Sequence, residues 1–208
     1  ALKNSIVYVI EVNPRASRTV PFISKVIDVP LAKISSQLAI GKKLGELHLE
    51  SRANNELIAV KKPVFPFNKF PHQNVFLSPE MKSTGEVIGF DKHLGSAYAK
   101  AESGAGHSLP TDGTVFISVN DSDKMSAIPM ARDFKELGFV IMATKGTAQL
   151  LYENGVPANF IFKVGEGRPN VVDAIKNGEI KLVVNTPLGA QSRFDEHEIG
   201  RSAIRYKV

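Results

Sequence analysis

Thr114-Val115-Phe116-Ile117-Ser118-Val119 sets the architecture. This β-rich run is followed at once by Asp121, Ser122 and Asp123, whose side chains offer helix N-cap oxygens. Beyond them Met125, Ile128, Ala131, Phe134 and Leu137 recur at three- to four-residue spacing. That spacing predicts an amphipathic helix, closed by Gly138. The same alternation then repeats. Phe139–Thr144 reads as a strand, Gly146–Glu153 as a short helix ended by Asn154-Gly155, and Asn159–Val164 as a third strand. Pro169–Lys176 reads as a helix with proline near its first turn, stopped by Asn177-Gly178. Leu182–Thr186 is a fourth strand and Phe194–Tyr206 a last helix. Apolar strands alternating with helices predict an α/β fold, a doubly wound parallel sheet covered on both faces, over residues 107–208.

Residues 1–106 follow a different rhythm. Ile6–Val12 is apolar at nearly every position, which predicts a central strand. A helix is expected over Pro21–Leu44, kinked or split at Pro30. Residues 45–56 are polar and loop-like, and Leu57–Phe67 is β-like but interrupted by Pro63 and Pro66, which suits an edge or bulged strand. Phe90–Glu102 reads as a helix in which Ala97, Ala99 and Ala101 allow close packing. Ser103–Pro110 has linker composition, so the expected domains are 1–106 and 107–208.

Of the 208 residues, 43% are hydrophobic and 23% charged, the range of folded soluble proteins rather than disordered ones. No run of 18 apolar residues is present, so no membrane span is expected. The absence of Cys excludes disulfides, thiolate zinc sites and a thiol nucleophile, and fits a cytoplasmic setting. No basic-then-apolar leader is seen, and a chain that opens beside an apolar strand reads as cut from something larger. The net charge of +5 lies wholly in residues 1–106, which hold 14 Lys and Arg against 9 Asp and Glu. No basic stripe is interleaved with aromatics, so nucleic acid is not expected as a partner.

Two groups of residues carry chemistry. Glu11-Val12-Asn13-Pro14-Arg15 sits at the carboxyl end of the first predicted strand. Residues two apart on a strand share a face, so Glu11 and Asn13 present a carboxylate and an amide oxygen side by side, suited to a hard cation such as Mg²⁺. Arg15 and Arg18 follow, where guanidinium groups would clamp phosphate or bicarbonate-derived oxygens. A surface Glu paired with Arg suits the same spacing, which leaves both readings open. In the second group Ser118, Thr144 with Thr147, Lys163 and Asn185 with Thr186 stand at predicted strand ends, and Lys124 lies in the first turn of the first helix. Strand carboxyl ends converge on one rim of a parallel sheet. In Thr144-Lys145-Gly146-Thr147 hydroxyls meet a glycine that lets backbone N–H groups approach an anion. With two lysines this is the composition of a phosphate pocket, although threonine also serves as a plain helix cap.

Ile10 through Thr19 closely resembles the terminal metal-binding motif of an ATP-grasp domain. The stretches Val20–Lys25, Val29–Lys33, Phe65–Phe70 and Pro79–Val87 resemble the carbamoyl-phosphate synthase large-chain family in particular, and the likeness runs from Ala1 to Val208. It implies an α+β tail of an ATP-grasp domain in residues 1–106 and a methylglyoxal-synthase-like allosteric domain, incomplete at its C-terminus, in 107–208. Glu11 and Asn13 would then be Mg²⁺ or Mn²⁺ ligands at the second ATP site, where carbamate is phosphorylated, with Arg15 and Arg18 contacting phosphate oxygens as catalytic groups. Ser118, Lys124, Thr144, Thr147, Lys163 and Asn185 would form an effector site for a nucleotide monophosphate. The implied partners are the rest of the large chain and a small glutaminase chain, and ATP is the implied substrate. Two departures stand out. Lys62 replaces the acidic residue that many bacterial members carry near the ornithine site, which speaks against an ornithine response. Pro187 stands where the family often has Thr, leaving the effector open.

A free-standing methylglyoxal synthase is the alternative enzyme. It needs an acidic base beside its phosphate pocket, and the sequence after Lys163 offers only Glu166 in Gly-Glu-Gly-Arg-Pro. A nucleotide-binding regulatory module without catalysis is the third reading. His48, His72, His93, His107 and His197 fall in no metal spacing and read as surface residues, and Glu86 as a turn or interface residue.

Overall fold

The computed structural model describes residues 1–47, 49, 56–69, 80–187 and 190–208. Phe70 and Pro79 of the family-like stretches, His48, His72 and much of the expected 45–56 loop lie outside the described residues. The chain divides into two compact units, one of residues 1–63 with 86–105 and one of residues 64–85 with 106–208.

In the first unit, β1 (Leu2–Lys3) and β2 (Ile6–Val7) form a two-residue antiparallel hairpin. The long central strand expected over Ile6–Val12 does not form. Its only strand partner among the described residues is Leu2–Lys3, and Val9, Ile10 and Val12 remain 78%, 81% and 79% exposed. The expected 21–44 helix is split at Pro30 into α1 (Thr19–Val26) and α2 (Leu31–Ala39), with Val29 and Ile34 buried where they meet. Among the described residues β3 (Ile58–Val64) pairs only with β4 (Gly85–Asp91), so Pro63 sits on an edge, as its missing N–H requires.

β4 was not expected, and Phe90, assigned to a helix by its sequence, ends this strand instead. The helix α3 spans Leu94–Gly104 and presses on β4 through small residues. A Cβ at Gly89 would run into the Ala97 carbonyl and the Ala101 nitrogen. Ser103 and Gly104, expected in a linker, form the last turn of α3. Lys62 is not solvated. It pairs with the buried Glu102 carboxylate, beside Tyr98, whose hydroxyl Glu102 holds above its ordinary pKa. Glu86 lies within β4 and pairs with Lys61 at 3.6 Å.

The second unit holds a four-stranded parallel sheet in the order β7-β6-β5-β8, with β5 (Thr114–Val119), β6 (Val140–Ala143), β7 (Asn159–Phe160) and β8 (Ile180–Thr186). The helices α4 (Lys124–Glu136), α5 (Lys145–Glu153), α6 (Val171–Lys176) and α7 (Ala190–Tyr206) cover it. Period-two alternation sends Val115 and Ile117 of β5 into one core with Ala127, Ile128 and Ala131 of α4 and Leu151 of α5. Phe116 points the other way, into a second core with Val171 and Ile175 of α6 and Ile199 of α7. Helices therefore lie on both faces.

Several local expectations shift. Met125 and Leu137 are exposed, and Ala127 takes part in the buried face of α4. Asn120 caps the single turn Asp121–Asp123 that leads into α4, its side chain accepting from the Ser122 N–H, while Asp123 is the N-cap residue of α4 but makes no side-chain cap bond. The helix after Pro169 starts later, at Val171, with Asn170 accepting from the N–H groups of Val172 and Asp173. Among the described residues no helix is long and apolar enough to cross a membrane.

Candidate functional site

Glu11, Asn13, Arg15 and Arg18 all lie in the first unit, outside any strand or helix, and all are exposed. The strand argument for a shared face therefore fails, yet the side chains still meet: the Asn13 amide donates to Glu11 Oε1 at 3.0 Å. Pro14 and a backbone turn, Arg15 N–H to the Asn13 carbonyl at 2.8 Å, end the segment. Arg18 is the N-cap residue of α1. It is the amide nitrogen that faces the carboxylate, so the Asn13 oxygen would have to turn inward before both residues could share a divalent ion, and the two would then fill only part of its shell of about six oxygens. Among the described residues no group of three or more His, Asp or Glu is placed to hold a metal.

The second site belongs wholly to the second unit. Strand order reverses around β5: the chain leaves it for β6 on one side and returns to β8 on the other. Helix α4 leaves the end of β5 over one face, while α7 follows β8 over the opposite face. Such a point opens a crevice outside the strand carboxyl ends. Two adjoining cavities of about 270 and 190 Å³ lie there and share Val119, Asp121 and Lys163.

The larger cavity is walled by the ends of β5 and β8 and by α7. Parallel register sets Ser118 beside Asn185 and Val119 beside Thr186. Asn120 ties the two strand ends together, giving its backbone N–H to Thr186 Oγ1 at 3.2 Å and its amide to the Thr186 carbonyl at 3.1 Å. Pro187, Asp195 and Ile199 complete this wall.

The smaller cavity sits at the N-terminus of α5, where Gly146 and Thr147 occupy the first turn and present N–H groups that no intrahelical carbonyl takes. Thr144 is the N-cap residue of α5 but makes no side-chain cap. Its hydroxyl instead lies 3.4 Å from that of Ser118. The plain capping reading thus does not hold for it. Lys124 reaches over from α4: a Cβ on Gly146 would lie 3.6 Å from its ammonium nitrogen. Lys163 serves both cavities from the loop after β7, where Glu166 accepts its backbone N–H at 3.2 Å. Ser118, Lys124, Thr144, Thr147, Lys163 and Asn185 therefore all line this one double cavity.

Asn120 and Asp195 were not singled out by sequence. Asp121 was read only as a helix N-cap, which masked its place on the rim beside Asn120. Asp195 sits within α7, ten residues past Asn185, and only the packed structure reveals it. It is 8% exposed, and its Oδ1 is buried with no hydrogen-bond partner among the described residues. Burial pushes its carboxyl above the usual carboxylate range, Lys163 draws it down, and Glu166 pushes it further up. His197, expected on the surface, is half-buried beside Glu198.

Residues 126–208 match the family model described as the MGS-like domain, and residues 1–47 match the carbamoyl-phosphate synthase L chain, ATP binding domain. The chain is 52% identical over 202 residues to the carbamoyl phosphate synthase large chain of Nostoc sp., covering 97% of this chain and 18% of that one. Over nearly its whole length the chain is similar to carbamoyl phosphate synthase large chains. Against the large chain of Archaeoglobus fulgidus it is 52% identical over 209 residues, covering all of this chain and 19% of the relative. Against the large chain, C-terminal section, of Aquifex aeolicus it is 50% identical over 224 residues, covering 42% of that protein. The chain thus spans about a fifth of the full-length relatives and corresponds to their C-terminal part. The residues matched to the MGS-like domain hold β6, β7 and β8 of the parallel sheet, and β5, which pairs with β6 and β8, precedes the match.

Proposed function

We propose that this chain is the C-terminal part of a cytoplasmic carbamoyl-phosphate synthase large chain. That ligase builds carbamoyl phosphate from bicarbonate, ammonia or glutamine, and ATP, supplying arginine and pyrimidine synthesis. Residues 1–106 supply the end of the second ATP site. There Glu11 and Asn13 would hold a Mg²⁺ or Mn²⁺ ion, which when bound neutralises charge on the ATP phosphates, and Arg15 and Arg18 would orient phosphate oxygens. Turnover requires the remainder of the large chain and the small glutaminase chain, and the 208-residue chain is not itself the catalyst. Residues 107–208 are the regulatory part. The match of residues 1–47 to an ATP-binding domain favours this reading over a free-standing methylglyoxal synthase.

The single observation that supports regulation is the convergence of Ser118, Lys124, Thr144, Thr147, Lys163 and Asn185 on one double cavity. Helix N–H groups, hydroxyls and ammonium groups meet in the smaller part, which suits a phosphate. The larger part has room for a nucleoside. A charge-assisted bond to phosphate contributes about 1.5–3 kcal/mol. Calorimetry of the 208-residue chain with uridine and inosine monophosphates tests this. The wild type is expected to bind one or both, and Lys163→Ala is expected to bind about ten- to a hundredfold more weakly. Absence of binding by the wild type, or equal binding by the variant, would overturn the assignment.

A further inference from the structure

An anion pocket has no evident use for carboxylates, yet Asp121, Glu166 and Asp195 line this one beside its lysines. Glu166 holds the Lys163 backbone, and Asp195 is packed inside. Asp121 differs from both. Its side chain is 94% exposed, so packing does not hold it, and Asn120 already caps the turn it sits in. Its contact is with Lys124: Oδ1 lies 2.6 Å from the ammonium that stands over Gly146. The pair keeps the Asp121 carboxyl below its ordinary range, so the group is fully ionised at neutral pH.

We propose that Asp121 is a built-in competitor that occupies the Lys124 ammonium and must yield it when a phosphate group enters at the N-terminus of α5. The proposal rests on the reading that this cavity takes a phosphate ester. Lys124 faces the same few ångströms of space as the Gly146 and Thr147 N–H groups, so a phosphate bound there meets the ammonium and the carboxylate together. Attraction to the first is offset by repulsion from the second unless Asp121 swings out to solvent, which its exposure permits. A dianionic phosphate monoester displaces a carboxylate from an ammonium more readily than a monoanion does. Asp121 therefore lowers affinity for every anion and favours doubly charged ones.

The test uses Asp121→Asn, which keeps shape and removes charge at an exposed position. Uridine monophosphate, inosine monophosphate and inorganic phosphate are titrated into the 208-residue chain by calorimetry, with amide shifts of Gly146 and Thr147 confirming the place of binding. The variant is expected to bind about three- to tenfold more tightly, from an exposed ion pair plus the lost repulsion. The gain is expected to vanish when Lys124→Ala is present in both proteins. Unchanged or weaker binding by Asp121→Asn overturns the proposal, as does an equal gain without Lys124. If inorganic phosphate binds and neither nucleotide does, the nucleotide reading fails while the phosphate titration still decides the role of Asp121. Binding of no anion to either protein overturns both.

Discussion

Two apolar runs in this chain carry nearly the same local signal and meet opposite fates. Val115-Phe116-Ile117 is wholly buried, while Ile6-Val7-Tyr8-Val9-Ile10 is 51–81% exposed. Both are rich in β-branched and aromatic residues. The first lies between two strands with helices over both faces, and the second pairs only with Leu2–Lys3 among the described residues. Composition thus identifies a run able to be a strand, and neighbours decide whether it becomes a core. The full-length relatives are about five times longer than this chain, and the exposed run lies within residues 1–47, which match the ATP binding domain.

The largest expected contrast comes from truncating the buried run. Phe116 anchors the core formed with α6 and α7 and has no exposed surface. Phe116→Ala is expected to cost about 3–5 kcal/mol, the transfer free energy of the ring plus the cavity it leaves. Urea unfolding followed through the second unit measures this. A loss below about 1 kcal/mol would mean that the core closes over the gap, and that β5 is not the organising strand.

The legibility of the sequence follows the same division. The bounds of β5 agree with its reading residue for residue, because period-two burial and the turn after it are local facts. The third strand is shorter than its apolar run, Asn159–Phe160, because pairing with β6 stops there. Strand β4 was not anticipated, and its end at Phe90 was assigned to the following helix; Gly89 within it lets α3 approach. In the candidate site, polar residues at strand ends were visible because a parallel sheet carries all its carboxyl ends to one rim. Asp195 was not visible, since an aspartate inside a polar helix reads as solvated until packing buries it.

Asp195 sharpens the comparison through pH. Its carboxyl lies above the ordinary value of 3.8, chiefly because of burial. Between that value and the raised one, the folded chain holds a proton that the unfolded chain has lost, so stability falls as pH rises through this window. Asp195→Asn removes the titration. The variant is expected to match wild type at acid pH and to become more stable than wild type as pH rises towards neutrality, because only the aspartate must then bury a charge. Melting curves taken from pH 4 to pH 8 check this. A difference that does not grow with pH would show that Asp195 is not held protonated by burial in the folded chain.

The smallest expected effect tests the exposed run itself. Ile10 is 81% exposed, more than any other residue of its stretch, so Ile10→Ser removes little apolar surface from any core. Exposed substitutions of this kind shift stability by about 0.5 kcal/mol or less. The 208-residue chain carrying Ile10→Ser is therefore expected to unfold at the same urea concentration as wild type, in contrast to the Phe116→Ala chain. If the run instead contributes to a core in solution, losing the isoleucine side chain would cost about 2–5 kcal/mol, as buried large-to-small changes do. The two outcomes differ by several-fold and are read from one pair of unfolding curves. A loss of that size would show that a strand needs fewer neighbours to bury its side chains than β5 has, which would break the contrast drawn between the two runs.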